Sequence, residues 1–344
     1  MDQMKERSVD QMTGWEQEDR RQAAALPLPW EKLQGKRLLL SGGTGFIGSF
    51  LCDVFRERNR RYGDGIRVVS LSRRGGESDD TVTYLACDLN QPLPALPQAD
   101  YVLHLASNTH PRQYAADPVG TITTNLLGCL HLLEYTASQP GARFLLASSV
   151  EVYGQGGPAP MTETDFGYLD CNTFRSGYNE AKRTCEALCQ SYRKQYGVDC
   201  VAVRLARVFG PDRKDDSKAM SQFLKNAVDG QDIVLKSPGK QRFSYCYVAD
   251  AATAILKVLL DGESGAVYNV SDPDEGRMLA DYAGLLADLA GTALRFELNA
   301  DAGASPATYA LLNTEKLTAL GWAPAYTVSG GLERTFRILR ARQE

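Results

Sequence analysis

The sequence has no apolar run approaching the roughly 18 consecutive residues that a membrane span needs. Its Met1 to Arg21 segment mixes acids and bases where a secretory leader would be apolar. Both absences predict a cytoplasmic protein with no membrane partner. Basic blocks are missing too: 38 Lys and Arg stand against 42 Asp and Glu, for a net charge of -4. No stripe of charge is therefore available to neutralise a nucleic-acid backbone, and a nucleic-acid partner is not expected. Histidine is scarce, at 3 residues, and the 8 cysteines (Cys52, Cys87, Cys129, Cys171, Cys185, Cys189, Cys200 and Cys246) show no C-x-x-C spacing. That pattern excludes a zinc site and reads as reduced thiols in a core; no metal is expected.

What is present is a chain of 344 residues, 43% hydrophobic and 23% charged, enough for one large domain or two smaller ones around a buried core. Residues 1–35 are polar, with Trp15, Trp30 and a Pro-broken Leu26 to Pro29 stretch, and read as a helical extension with a short tether lying as an ordered surface flap. From Lys36 short apolar runs alternate with amphipathic segments. Arg37 to Leu40, Arg67 to Leu71, Thr83 to Ala86, Tyr101 to Leu105, Arg143 to Ala147 and Val198 to Val203 read as strands. Gly48 to Asn59, Pro118 to Ala137 and Tyr178 to Tyr196 read as helices between them. This alternation predicts an α/β fold with a doubly wound parallel sheet, a Rossmann domain over 36–205. Residues 206–344, with a charged loop at Pro211 to Lys218, two later helical stretches and a Gly/Ala/Pro-rich tail, predict a smaller substrate lobe partly interwoven with the first. Such sheets bind ligands at the carboxyl ends of their strands, so the second lobe is expected to roof that crevice.

Directly after the first strand stands SGGTGFIGS, in which Gly43, Gly45 and Gly48 satisfy G-x-G-x-x-G behind Gly42. Early glycines permit a tight turn, the middle one lets a pyrophosphate approach the backbone, and the last packs the new helix on the strand. Gly42, Gly43, Gly45, Phe46, Ile47 and Gly48 are therefore the expected phosphate cradle. At the end of the second strand a dinucleotide site usually carries an acid for the adenosine ribose, but this chain has Ser72-Arg73-Arg74. Two guanidinium groups suit a 2′-phosphate, which favours NADP, with NAD as the alternative if the pair is simply solvated.

A strand end reads ASSVEVYG, with Ser149 and Glu151, and downstream SGYNEAKR places Tyr178 and Lys182 four apart on one helical face. A free tyrosine, with a pKa of about 10, is a poor base at neutral pH; a neighbouring ammonium and a cationic nicotinamide would stabilise its phenolate. Tyr178 as base, Ser149 as orienter of the substrate hydroxyl and Lys182 as electrostatic support give an alcohol oxidation its parts.

With these pieces in place, the chain from Lys36 to the C-terminus resembles the extended short-chain dehydrogenases/reductases of the nucleotide-sugar epimerase, dehydratase and decarboxylase type. Further matching pieces are Asp88-Leu89, HLAS at His104 to Ser107, TTNLLGCLHLLE with Asn125, and VRLARVFGP. The resemblance implies an adenine contact at Asp88 and Leu89 and further cofactor contacts at Leu105, Ala106, Ser107 and Asn125. It also implies a redox-neutral reaction on a sugar whose nucleotide lies in the second lobe, near Lys218 and an Asp232 to Leu235 strand. Relatives usually pair the helix carrying Tyr178 with a neighbour, so a homodimer is expected.

Within that family, 4-epimerases lack the glutamate that stands here as Glu151, and a carboxylate near C5 suits chemistry next to a 4-keto group. In dehydratases an acid occupies the place of Val150, which cannot protonate a departing hydroxyl. A β-keto acid needs no such donor to lose carbon dioxide. LASNTHPRQYAADP, with Asn108, and ARFLLASSVEVYG follow the layout of UDP-glucuronate decarboxylases. Two positions depart from it: the arginine expected just before the YV-x-D strand is Phe243, with Arg242 one place early, and the asparagine before the Gly-Pro turn is Arg207. Asn108, Arg207, Lys218 and Arg242 are thus the candidate substrate contacts, Arg207 either binding substrate charge or pairing with the acidic loop at Asp212 to Asp216. Decarboxylation, 4,6-dehydration and 4-epimerisation stand in that order of fit, beside net NADPH-dependent reduction of a carbonyl and non-catalytic dinucleotide sensing.

Overall fold

The computed structural model describes residues 12–107, 115–212, 218–273, 277–298 and 309–343. Its frame is a seven-stranded sheet of β1 (Arg37–Ser41), β2 (Arg67–Ser72), β3 (Val82–Ala86), β4 (Tyr101–His104), β5 (Arg143–Ser149), β6 (Asp199–Leu205) and β11 (Val267–Val270). The spatial order is β11-β6-β5-β4-β1-β2-β3, with every adjacent pair parallel. The strands read as nearly continuous apolar runs because both faces are covered. On one face Leu38, Leu40, Leu103 and Leu145 meet Phe50, Val54 and Phe55 of helix α2 (Phe46–Tyr62). On the other, Leu39, Val102, Phe144 and Leu146 meet Cys129, Leu132 and Leu133 of α3 (Pro118–Ala137) and Cys185 and Cys189 of α4 (Gly177–Tyr196). Strand order reverses between β1 and β4, and the loops leaving those two strands form the crevice.

Helix boundaries have local causes. Asp117 caps α3 by accepting the Gly120 amide, and Pro118 opens the helix where no amide is needed. Glycines with left-handed backbone close α2 at Gly63 and α4 at Gly197. The buried stripe of α4, Tyr178, Ala181, Lys182, Cys185 and Cys189, follows the helical period.

After β6 the chain runs through β7 (Arg207–Phe209), α5 (Ala219–Val228), β8 (Ile233–Leu235), β9 (Arg242–Phe243), β10 (Tyr245–Tyr247) and α6 (Val248–Asp261) before returning to the sheet at β11. It finishes with α7 (Leu279–Ala290), β12 (Leu294–Phe296), β13 (Tyr309–Ala310), α8 (Glu315–Ala319) and α9 (Val328–Ala341). Five helices thus lie beyond Phe209 among the described residues, where the sequence pattern suggested two. In α9 the pattern is hidden by Gly330-Gly331. Gly331 is needed because a Cβ there would lie 2.9 Å from the Phe209 ring and 3.1 Å from Tyr247.

The N-terminal segment forms the expected helix and is anchored by buried charges. Helix α1 (Gly14–Ala25) is opened by a capping box between Thr13 and Glu16 and buries two carboxylates, Glu16 and Asp19. Arg342 pairs with Glu16, Arg334 with Asp19, and Arg20 with Asp53 of α2, so the helix is tied to α2 and to the C-terminal helix. Among the described residues no helix is long and apolar enough to cross a membrane, and no His/Cys/Asp/Glu group could hold a metal ion. All eight cysteines are free; Cys171 is exposed and the others are buried.

Candidate active site

The glycine loop joins β1 to α2 at the switch point. Gly42 has φ +82°, and a Cβ on it would sit 2.8 Å from the Ala106 amide nitrogen. Only glycine lets the loop after β1 press against the loop after β4. A Cβ on Gly48 would lie 2.2 Å from the Gly42 carbonyl oxygen, so this position fixes how closely α2 approaches the loop. Gly45 donates its amide to the Gly42 carbonyl at 2.9 Å and caps α2 without a side chain, leaving the first-turn amides at Phe46 and Ile47 for an anion. These features fit a dinucleotide pyrophosphate.

At the adenosine end, Ser72 closes β2 and its hydroxyl donates to the Gly75 carbonyl at 3.1 Å. Arg73 and Arg74 follow, both exposed. Among the described residues no carboxylate pairs with either. Asp88 is exposed, its carboxylate accepting from the Asn90 amide and side chain, and Leu89 is buried. At the nicotinamide end, Leu105, Ala106 and Ser107 leave β4 half-buried. The Ser107 hydroxyl donates to Asn125 Oδ1 at 2.9 Å, and the buried Asn125 donates to the Thr121 carbonyl at 2.7 Å. His104 was not singled out by its sequence context. It is fully buried with Nδ1 2.8 Å from the Ser41 hydroxyl, and burial lowers its pKa to about 4, so the ring is neutral beneath the crevice.

Three elements deliver the catalytic candidates to one place. Ser149 ends β5 and its Oγ accepts the Glu151 amide at 3.2 Å. Tyr178 stands in the first turn of α4, buried, with its hydroxyl in hydrogen-bond contact with Ser149 and Ser107. Lys182, one turn on, donates from Nζ to the Ala147 carbonyl at 2.9 Å and lies 5.9 Å from the Tyr178 ring centroid. Burial pushes the Tyr178 phenol up to about 12, against the downward pull of the Ser149 and Ser107 hydrogen bonds. Burial also lowers Lys182. The ammonium is engaged by a carbonyl beside the ring, so the protein alone keeps Tyr178 protonated. Further positive charge is needed to make the phenolate.

Glu151 lies in a short 3₁₀ turn (Val150–Tyr153) with its side chain 45% exposed. Asn179 donates to its main-chain carbonyl at 2.8 Å and to Oε2 at 3.2 Å, a partner the helical spacing of Tyr178 and Lys182 did not reveal. Val150 is buried in the apolar core. Arg207 Nη2 lies 3.9 Å from Glu151 Oε1, and its guanidinium stacks 3.7 Å over the Phe243 ring. The two positions that depart from the family layout are therefore in contact. Arg242 is exposed on β9, Lys218 is exposed at the start of α5, and Asn108 lies outside the described residues. Below the site, Arg204 forms a two-point pair with Glu186 at 2.7 and 3.0 Å, and Glu186 also accepts from Ser148 at 2.5 Å. This bolt ties β5, β6 and α4 together; Ser148 and Arg204 sit within ASSVEVYG and VRLARVFGP, but nothing in those runs marks Glu186 as their partner.

A doubly wound sheet with a glycine cradle at its switch point and a Ser-Tyr-Lys cluster opposite defines a nicotinamide-dinucleotide enzyme. Residues 38–271 match the model of the NAD dependent epimerase/dehydratase family, and the chain belongs to that family. It is 31% identical to UDP-glucuronic acid decarboxylase 5 of Arabidopsis thaliana over 314 residues, covering 88% of this chain and 89% of that protein. Among solved structures it is similar to a UDP-galactose 4-epimerase at 27% identity and a TM-score of 0.72, covering 89% of this chain and 99% of the other. It shares the fold of the UDP-glucose 4-epimerase of Thermus thermophilus in complex with NAD, at 24% identity, TM-score 0.73 and coverage of 88% and 99%.

Proposed function

We propose that this enzyme acts on a nucleotide sugar by transient oxidation at C4, and that its reaction is loss of carbon dioxide from UDP-glucuronate. The observation that carries the reading is the meeting of Ser149, Tyr178 and Lys182 beside Glu151 and Arg207. Such an arrangement joins an oxidation centre to a carboxylate and a guanidinium at the sugar. The likeness to UDP-glucuronic acid decarboxylases supports it.

The residues present fit a dinucleotide, with the glycine cradle at its phosphates, Asp88 and Leu89 toward adenine, and Ser107, Asn125 and Lys182 toward the nicotinamide half. When bound, the cofactor supplies a positive charge and a reversible hydride acceptor. Ser149 orients the sugar 4-hydroxyl, and Tyr178 Oη accepts its proton while the carbon is oxidised to a ketone. Lys182 holds the Ala147 carbonyl and steadies the phenolate electrostatically. The 4-ketone makes the sugar a β-keto acid: the C5–C6 bond breaks, carbon dioxide leaves, and the electron pair passes to the C4 oxygen through the C4–C5 enolate. A proton then adds at C5, where Asn179 holds Glu151. Tyr178 returns its proton as C4 is reduced, so one proton is consumed and no net oxidation occurs.

Dehydration is the second reading, favoured by the epimerase/dehydratase family match. It needs an acid at the departing hydroxyl, and the residue at that place, Val150, is an apolar side chain in the core. Exposed Arg73 and Arg74 support NADP as the preferred dinucleotide, with NAD as the alternative. The neighbouring helices α3 and α4, with exposed Val119 and Ile122, support pairing of two copies through this face. The division at residues 205 and 206 is read as cofactor side and substrate side, and a cytoplasmic location is part of the same reading.

Mass spectrometry of products from UDP-glucuronate and a panel of UDP-, GDP-, CDP- and dTDP-hexoses tests the reading, with Tyr178→Phe as the inactive control. Loss of carbon dioxide from UDP-glucuronate is the expected result. Loss of water from a hexose supports dehydration instead. Unchanged mass with all sugars, with or without stoichiometric NADPH consumption, overturns decarboxylation.

A further inference from the structure

Arg207 has a guanidinium whose bonding is incomplete. Its backbone is fixed where β7 runs beside β10, the Arg207 amide donating to the Ser244 carbonyl at 3.2 Å. The Phe243 ring, buried, lies under the guanidinium plane at 3.7 Å. Nη1 is buried and, among the described residues, has no hydrogen-bond partner. Nη2 reaches Glu151 Oε1 only at 3.9 Å, too long for a hydrogen bond. A guanidinium with one orphaned, desolvated edge is costly unless an acceptor arrives there. Stacking on Phe243 fixes the plane, and so fixes the direction from which a planar acceptor can enter.

We propose that Arg207 selects for a carboxylate on the sugar: its partly exposed guanidinium, held flat on Phe243 and facing Glu151, takes the C6 carboxylate of a hexuronate. The inference rests on the UDP-glucuronate reading above and adds the residue that selects that substrate over uncharged sugars. Position along the substrate argues for carboxylate over diphosphate. Glu151 follows Ser149 by two residues, and Ser149 contacts the Tyr178 hydroxyl. An arginine within ion-pair distance of Glu151 therefore belongs at the sugar ring, not at the far end of the nucleotide. A diphosphate there would also crowd two further negative charges against Glu151, whereas a carboxylate adds one and matches the planar fork. Because the carboxylate's charge departs with carbon dioxide, Arg207 binds the ground state and contributes little to the barrier. Its loss should raise KM far more than it lowers kcat.

The test compares Arg207→Gln and Arg207→Lys with the wild-type full chain, all loaded with dinucleotide. UDP-glucuronate and UDP-glucose, which differ only at C6, carboxylate against hydroxymethyl, are titrated calorimetrically in a Tyr178→Phe background so that no turnover intrudes. The expected result is that Arg207→Gln weakens UDP-glucuronate about tenfold or more, changes UDP-glucose less than about twofold, and that Arg207→Lys recovers part of the loss. Equal weakening of both ligands would assign Arg207 to the shared diphosphate and overturn the proposal. No change in either, with an unchanged melting curve, would reduce Arg207 to a partner of Glu151 and overturn it as well. Wild-type protein that binds UDP-glucose but discriminates against UDP-glucuronate sinks the carboxylate clamp while leaving the nucleotide-sugar reading intact. Binding of neither ligand sinks both.

Discussion

The Tyr247 hydroxyl donates to Asp19 Oδ2 at 2.6 Å, joining the N-terminal helix to the strand that leads into α6. Tyr326 donates to the other oxygen at 2.9 Å, and Arg334, itself buried, pairs with the same carboxylate. Burial raises the Asp19 pKa, opposed by these three partners. Replacing Asp19 by Ala would take the Asp19 carboxylate from the buried Arg334 and strand the Tyr247 hydroxyl in a nearly dry site, while Tyr326 keeps Gln22. A loss on the order of 3 kcal/mol is expected, near the lower end for a broken buried pair because Glu18 still holds Arg334 at 2.8 Å. Urea unfolding measures it, and an unchanged midpoint would show that the N-terminal helix is merely laid on the surface.

That helix marks one limit of what the sequence made legible. The sheet was readable because β1, β2, β5 and β6 are short apolar runs separated by amphipathic segments, and burial on both faces enforces that pattern. The glycine cradle and the Tyr178/Lys182 spacing were readable because each is local, set by one turn or one helical face. Glu16 and Asp19 were not, since a buried carboxylate and a solvated one look alike until Arg342 and Arg334, more than 300 residues away, are brought beside them. The same holds for Arg207 on Phe243 and for Glu186 with Arg204. Their meaning lies in pairs that only the packed chain brings together.

His104 supplies a pH signature. Its folded pKa of about 4 lies below the ordinary 6.5, because burial disfavours the charged ring. Above pH 6.5 neither state is protonated and nothing is lost. Between 6.5 and 4 the unfolded chain binds a proton that the folded chain refuses, so stability falls as pH falls. The full loss is on the order of 3 kcal/mol. Asp250, with its pKa raised to about 7 by burial, gives the opposite slope over part of this range, so the wild-type profile alone is ambiguous. The difference between wild type and His104→Asn removes it. That difference should shrink by about 3 kcal/mol from pH 7 to pH 4 in urea unfolding; a constant difference would mean that the ring takes up its proton equally in the folded and the unfolded chain.

The proposed preference for NADP rests on two exposed side chains. Arg73 and Arg74 follow Ser72 where β2 ends, and among the described residues neither is committed to a carboxylate. A 2′-phosphate offers two negative charges to a pair of guanidinium groups, whereas a ribose hydroxyl offers them nothing ionic. The wild type is therefore expected to bind NADP more tightly than NAD. Replacing both arginines by Ala should weaken NADP about tenfold and leave NAD nearly unchanged. Because the site is exposed, the advantage should also shrink as salt is raised from about 0.05 to 0.5 M, while NAD affinity changes little. Fluorescence titration of both dinucleotides against wild type and the double variant gives all of these numbers. Tighter binding of NAD by the wild type, unaffected by the double substitution, would assign the pair to solvent and leave the adenosine end to be held by Asp88 and Leu89 alone.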